Sequence, residues 1–98
     1  MNKNFKKKKG SFSWKQMEEI RLGFECGLSN EQIATYAKPE FDYHQMREIR
    51  WGFEQGLTMY QVDLYANPNN DWEVMEAFRL SFETEMLPSV VHAMRENW

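Results

Sequence analysis

The sequence predicts an all-α fold, built as three tandem helix-turn-helix repeats of 29 residues with six helices in a compact solenoid-like stack. Three observations predict it. The chain matches itself when slid by 29 residues, its apolar residues recur three and four apart, and helix-starting and helix-stopping residues punctuate the copies at the same places. Residues 14–42 laid over 43–71 agree at 15 of 29 positions. A third, decayed copy begins at Trp72. It keeps Met75, Arg79, Phe82 and Glu83 and places Phe78 where Ile20 and Ile49 stand. Divergence suits a terminal unit, which has no further neighbour to stack on.

The first long helix is expected at about 13–27, with Trp14, Met17, Ile20, Phe24 and Leu28 on one stripe. Ser13 with Gln16 forms a capping box at its start, and Gly27 suits a left-handed C-cap. A short helix follows at about 29–37, opened by Ser29 with Gln32 and blocked from extension by Pro39. The second long helix, about 42–56, repeats the stripe with Tyr43, Met46, Ile49, Phe53 and Leu57, and repeats the cap with Asp42 and Gln45. The second short helix, about 58–66, opens with Thr58 and Gln61. It is apolar nearly all round (Met59, Tyr60, Val62, Leu64, Tyr65, Ala66), which predicts burial on two sides. The third long helix, about 71–86, carries Trp72, Met75, Phe78, Phe82 and Met86 behind Asp71. The last, about 88–97, begins at Pro88 and sets Leu87, Val91, Met94 and Trp98 on one face. That face closes the stack or forms a dimer interface. Gly23 and Gly52 stand mid-helix, where glycine costs about 1 kcal/mol against alanine, so their recurrence predicts close approach by a neighbouring helix.

Ninety-eight residues bound one small domain, residues 13–98 in units 14–42, 43–71 and 72–98, behind a flexible basic tail at 1–12. With 42% hydrophobic and 15% aromatic residues the chain can fill a core. Charge is unevenly placed. The first 13 residues hold five lysines and no acid, while the rest hold seven cations against 15 acids, a body of −8 inside a formal net charge of −3. A lysine run beside glycine and serine reads first as a solvated arm and second as a contact for phosphates through Lys6, Lys7, Lys8 and Lys9. No apolar run approaches the roughly 18 residues of a membrane span, and the basic start lacks the apolar stretch of a secretory signal. One cysteine, Cys26, excludes an internal disulfide framework. The expectation is a soluble cytoplasmic protein.

Catalytic constellations are absent from the sequence. His44 and His92 are isolated, with no metal-ligand spacing around them, and Cys26 lies near a helix C-terminus, where the dipole disfavours a thiolate. No phosphate-binding glycine loop or nucleophile elbow occurs. The expectation is a non-enzymatic protein without cofactor or metal. The most informative polar feature is the i,i+4 pair kept in every copy: Arg21/Glu25, Arg50/Glu54 and Arg79/Glu83. A fixed place in a stack demands the same partner each time, so the pairs are expected to bridge adjacent units beside Trp14, Tyr43 and Trp72, each arginine stem lying over an aromatic ring; the other reading is a ladder of charges offered to a ligand. Leu22, Trp51 and Leu80 share one repeat position. They form either inter-unit packing or an exposed apolar row rimmed by acids.

The pattern QMxEIRxGFExGLxxxQxxxYAxP, at 16–39 and 45–68, resembles the short helical repeat of small and polyvalent proteins from phages and conjugative elements of Gram-positive bacteria. The resemblance implies a mobile-element habitat in a bacterial cell, where small acidic helical proteins block host defence. Taken with the acidic body, it leads to a non-enzymatic inhibitor or adaptor that binds a protein with a basic surface. The most specific version is an anti-CRISPR-like protein on a nucleic-acid-binding surface of a nuclease effector, working through Trp51, Glu48, Glu54, Glu73 and Glu76. The alternative is a DNA- or RNA-binding accessory protein using the lysine tail, with residues 27–37 a weak match to half of a helix-turn-helix. Oligomeric state stays open.

Overall fold

The computed structural model describes residues 10–86, and all five elements among them are helices: α1 (Trp14–Glu25), α2 (Asn30–Tyr36), α3 (Tyr43–Glu54), α4 (Met59–Asp63) and α5 (Trp72–Met86). No strand occurs among the described residues. The lysine tail and the expected final helix at about 88–97 lie outside them.

All four expected capping boxes form. The side chains of Ser13, Ser29, Asp42 and Thr58 accept the backbone N–H of the glutamine three residues on, and each glutamine Oε1 accepts the cap's own N–H. Gly27 and Gly56 take the left-handed conformation just past α1 and α3, with φ of 87° and 98°. Helix α5 has no such box, because Val74 stands where Gln16 and Gln45 stand.

The two glutamines do more than cap. Gln16 Nε2 donates to the carbonyls of Pro39 and Phe41, and Gln45 Nε2 donates to those of Pro68 and Asn70. Each long helix is thereby fastened to the loop that leads into the next. Short helix and long helix are joined by a tyrosine. Tyr36 Oη donates to the Glu19 carbonyl at 2.7 Å, and Tyr65 Oη donates to the Glu48 carbonyl at 3.0 Å. Residues 23 and 52 lie one turn beyond those carbonyls. A Cβ at position 23 would collide with Tyr36 Oη, and one at position 52 with Tyr65 Oη. Both glycines are therefore required, although what approaches is a tyrosine hydroxyl rather than a helix backbone.

Helix α3 is the centre: it packs against each of the other four. Met46, Ile49 and Phe53 on α3 join Ile33, Tyr36, Phe41, Val62, Tyr65 and Met75 in one buried cluster. Two expectations fail. Helix α4 ends after five residues, because the N–H groups of Leu64 and Tyr65 turn to the carbonyls of Gln61 and Val62, three residues back, and tighten the chain. Nor is α4 buried all round: Val62 and Tyr65 are inside, while Met59, Tyr60 and Leu64 face outward.

Candidate protein-interaction site

Arg50 and Arg79 build a ladder across α1, α3 and α5. Arg50 Nε donates to Glu19 Oε1 at 3.0 Å across α1 and α3, and Arg79 Nε donates to Glu48 Oε1 at 2.7 Å across α3 and α5. Each is steadied within its own helix, Arg50 by Glu54 at 2.6 Å and Arg79 by Glu83 at 2.9 Å. Arg47 adds a second hold on Glu19, at 3.1 Å. Both ladder carboxylates are buried. A buried charge needs a full set of partners, and here it has them: among the described residues no buried side-chain nitrogen or oxygen lacks one. Burial pushes the Glu48 carboxyl above its ordinary value, against the opposing pull of Arg79. Burial also draws the Arg50 and Arg79 guanidiniums down, but their hydrogen bonds to glutamate outweigh it and hold both above the ordinary value. The Tyr36 and Tyr65 hydroxyls are raised by burial and stay protonated donors.

Aromatic rings pack beside the rungs. Trp51 has the guanidiniums of Arg79, Arg47 and Arg50 at 5.2, 5.7 and 5.9 Å from its ring. His44 stacks on Trp72 with centroids 5.4 Å apart. The arginines thus cover Trp51 rather than Trp14, Tyr43 or Trp72, although Arg47 also reaches Tyr43 at 5.6 Å.

The expected binding residues divide accordingly. Glu48 is not a surface residue: it is 3% exposed and held by Arg79. Trp51 is half-buried among three arginines, so the row of Leu22, Trp51 and Leu80 is interrupted, with Leu80 alone well exposed. Glu54 and Glu76 both serve ladder arginines, Glu76 at 3.9 Å from Arg79. Glu73 is exposed and carries no ion pair among the described residues. The four carboxylates among these five positions do not form one free patch. Lys6, Lys7, Lys8 and Lys9 lie outside the described residues.

The first copy stands open. The ladder stops at Arg21, whose Nη atoms are taken by Glu25 and Glu18 on its own helix. No rung reaches its Nε among the described residues. Met17 is 57% exposed where Met46 and Met75 are 0%, and Phe24 is 55% exposed where Phe53 is 4%. With Trp14, at 69%, these residues leave an apolar face on α1, where a shallow groove is lined by Trp14, Met17, Glu18 and Arg21. Of the expected stripe, Ile20 and Leu28 pack against the core while Trp14, Met17 and Phe24 are exposed; no helix precedes α1 among the described residues as α1 and α2 precede α3.

Other chemistry is sparse. Cys26 is exposed, and a hydrogen bond with Glu54 raises its thiol above the ordinary value, against thiolate formation. Among the described residues no group of three His, Cys, Asp or Glu side chains could hold a metal ion, and no helix is long and apolar enough to cross a membrane. Compared with protein-family models, curated proteins and solved structures, the chain matches none.

Proposed function

We propose that this chain works by binding another protein, as a non-enzymatic adaptor or inhibitor built from three tandem 29-residue units whose sixth helix falls at about 88–97. One observation carries the reading. The ladder consumes the buried arginines, and Glu31, Glu40, Asp63, Asp71, Glu73 and Glu85 are left exposed with no ion pair among the described residues. Exposed cations among those residues are confined to Lys15, Arg21 and Lys38, and Arg21 is already paired. Such an exterior favours a cation-lined partner by charge complementarity and repels nucleic acid. A nuclease effector's nucleic-acid channel is a surface of that kind. With the mobile-element resemblance, it is the partner we favour, in a bacterial cytoplasm.

The test is co-purification of full-length protein with a nuclease effector, followed by competition with duplex DNA. Retention should fall as DNA is added and as salt rises, and should be lost when Asp71, Glu73 and Glu85 are together changed to Lys. Retention indifferent to DNA, salt and charge reversal would count against the proposal. Nucleic acid shifted by the full-length protein at low salt, and not by protein lacking residues 1–9, would favour the lysine-tail alternative instead.

A further inference from the structure

The open face of α1 is a copy of a face the protein already uses. Helix α5 packs on α3; Trp72 and Arg79 meet α3 side chains, Met75 and Phe82 join the core, and Glu76 and Glu83 hold Arg79. Fifty-eight residues earlier, α1 holds Trp14, Met17, Glu18, Arg21, Phe24 and Glu25, the same six residue types in the same order. Even the arginine is set alike. Arg79 is flanked by Glu76 and Glu83, Arg21 by Glu18 and Glu25, and in both the Nη atoms face those glutamates. The difference lies outside the helix. Against α5, helix α3 supplies His44 to stack on Trp72, Glu48 to take Arg79 Nε, and Trp51 to lie by the Arg79 guanidinium. Against α1 nothing among the described residues does so, and Trp14, Met17 and Phe24 stay exposed.

We infer that the outward face of α1 docks a helix of another protein that presents histidine, glutamate and tryptophan at positions i, i+4 and i+7, as α3 presents His44, Glu48 and Trp51 to α5. Those spacings set all three side chains on one helix face. The glutamate matters most, because it alone fills the vacant side of Arg21. Among the described residues a second copy is the poorer occupant: its own His44, Glu48 and Trp51 are engaged by α5, and the corresponding face of its α5 has Glu73, Ala77 and Leu80 at those positions, with no carboxylate at the central one; His92 and Glu96, also four apart, lie outside the described residues. The inference does not depend on the basic-partner reading, which concerns the acidic exterior rather than this end.

The experiment supplies the missing helix within the full chain, so that weak affinity cannot mask docking. A copy of residues 42–70 is inserted between Phe12 and Ser13, which gives α1 the neighbour that α5 has. Urea unfolding is then measured for Arg21→Ala with and without the insert. In the native chain the substitution should change the folding equilibrium constant by no more than about threefold, as for an exposed pair. In the extended chain it should lower the constant by more than about a hundredfold, as expected for stranding a buried carboxylate. Changing Glu48 to Ala in the added copy should remove that sensitivity and leave the Trp14 environment less protected. Arg21→Ala remaining silent in the extended chain would overturn the inference. So would a native dimer, seen by sedimentation, that Met17→Glu dissociates, since the occupant would then be a second copy.

Discussion

Helices α1 and α3 carry nearly the same residues and live in different surroundings. Met17 and Met46, Phe24 and Phe53, and Arg21 and Arg50 are pairs separated by one repeat length. The second of each pair is buried and the first is exposed. The caps, the glutamine clamp and the tyrosine bond to a glutamate carbonyl are equal in both units. Interactions within a unit are therefore fixed by its own sequence, whereas the value of an interaction between units depends on the neighbour. This separates intrinsic from interfacial stability, and the pair of helices lets each be measured in one protein.

The ladder gives the largest contrast. Arg79→Ala strands Glu48, and an unpaired buried charge of this kind costs about 3–5 kcal/mol. Arg50→Ala should cost less, since Arg47 keeps hold of Glu19. Arg21→Ala removes only exposed pairs and should stay within about 0.5 kcal/mol. Urea unfolding of the three variants checks the order, and equal losses at all three positions would break the distinction between the two helices.

Apolar truncation should follow the same division. Met46→Ala empties a wholly buried site and should cost about 2–5 kcal/mol. Met17→Ala, on the open face, should cost less than about 1 kcal/mol. Thermal unfolding of both variants decides the matter: a large loss at Met17 would mean that its face is covered in solution.

Bonds inside a unit should show no such asymmetry. Tyr36→Phe and Tyr65→Phe each delete one buried hydrogen bond to a helix carbonyl, a loss of about 1 kcal/mol in either unit. Clearly unequal losses, measured by urea unfolding, would show that the first short helix is held in some other way from the second.

Much of this was legible in the sequence, for a physical reason. Helix period, capping boxes and left-handed glycines are local, and five of the six expected helices fall among the described residues, four of them with bounds close to expectation. The ladder was half legible. Arg50/Glu54 and Arg79/Glu83 are neighbours on one helix, but Glu48 meets Arg79 across 31 residues, and a lone glutamate reads by default as solvated. A signal was present in what the third copy loses. Glu19 and Glu48 give way to Ala77, and Gly52 and Tyr65 give way together to Ser81 and Met94. Gly52 and Tyr65 change together, and they touch in the structure. The exposure of Trp14, Met17 and Phe24 was not legible, because nothing in those residues distinguishes them from Met46 and Phe53; the difference lies in which neighbours the described residues supply. The early end of α4 depends on a shift in bonding pattern that neither Asp63 nor Leu64 announces.

The smallest expected effect is also the most local. Burial holds the Glu48 carboxyl above its ordinary value in the folded protein, whereas in the unfolded chain it titrates near about 4.3. Between those two values the folded state binds more protons than the unfolded state, so this residue's contribution to stability is fully present below the lower value and declines as pH rises through the higher one. Stability falls by about 1.4 kcal/mol for every pH unit that separates the two values, opposite in sign to the usual carboxylate that stabilises more as pH rises. Titration of the side-chain carboxyl carbons by NMR should place the Glu48 midpoint above the ordinary value for glutamate. Glu48→Gln, which keeps the shape and removes the titration, should abolish the corresponding slope in urea midpoints across the same interval. A Glu48 midpoint at or below the ordinary value would mean that Arg79 outweighs burial, and that the second rung is governed by its ion pair more than by its removal from water.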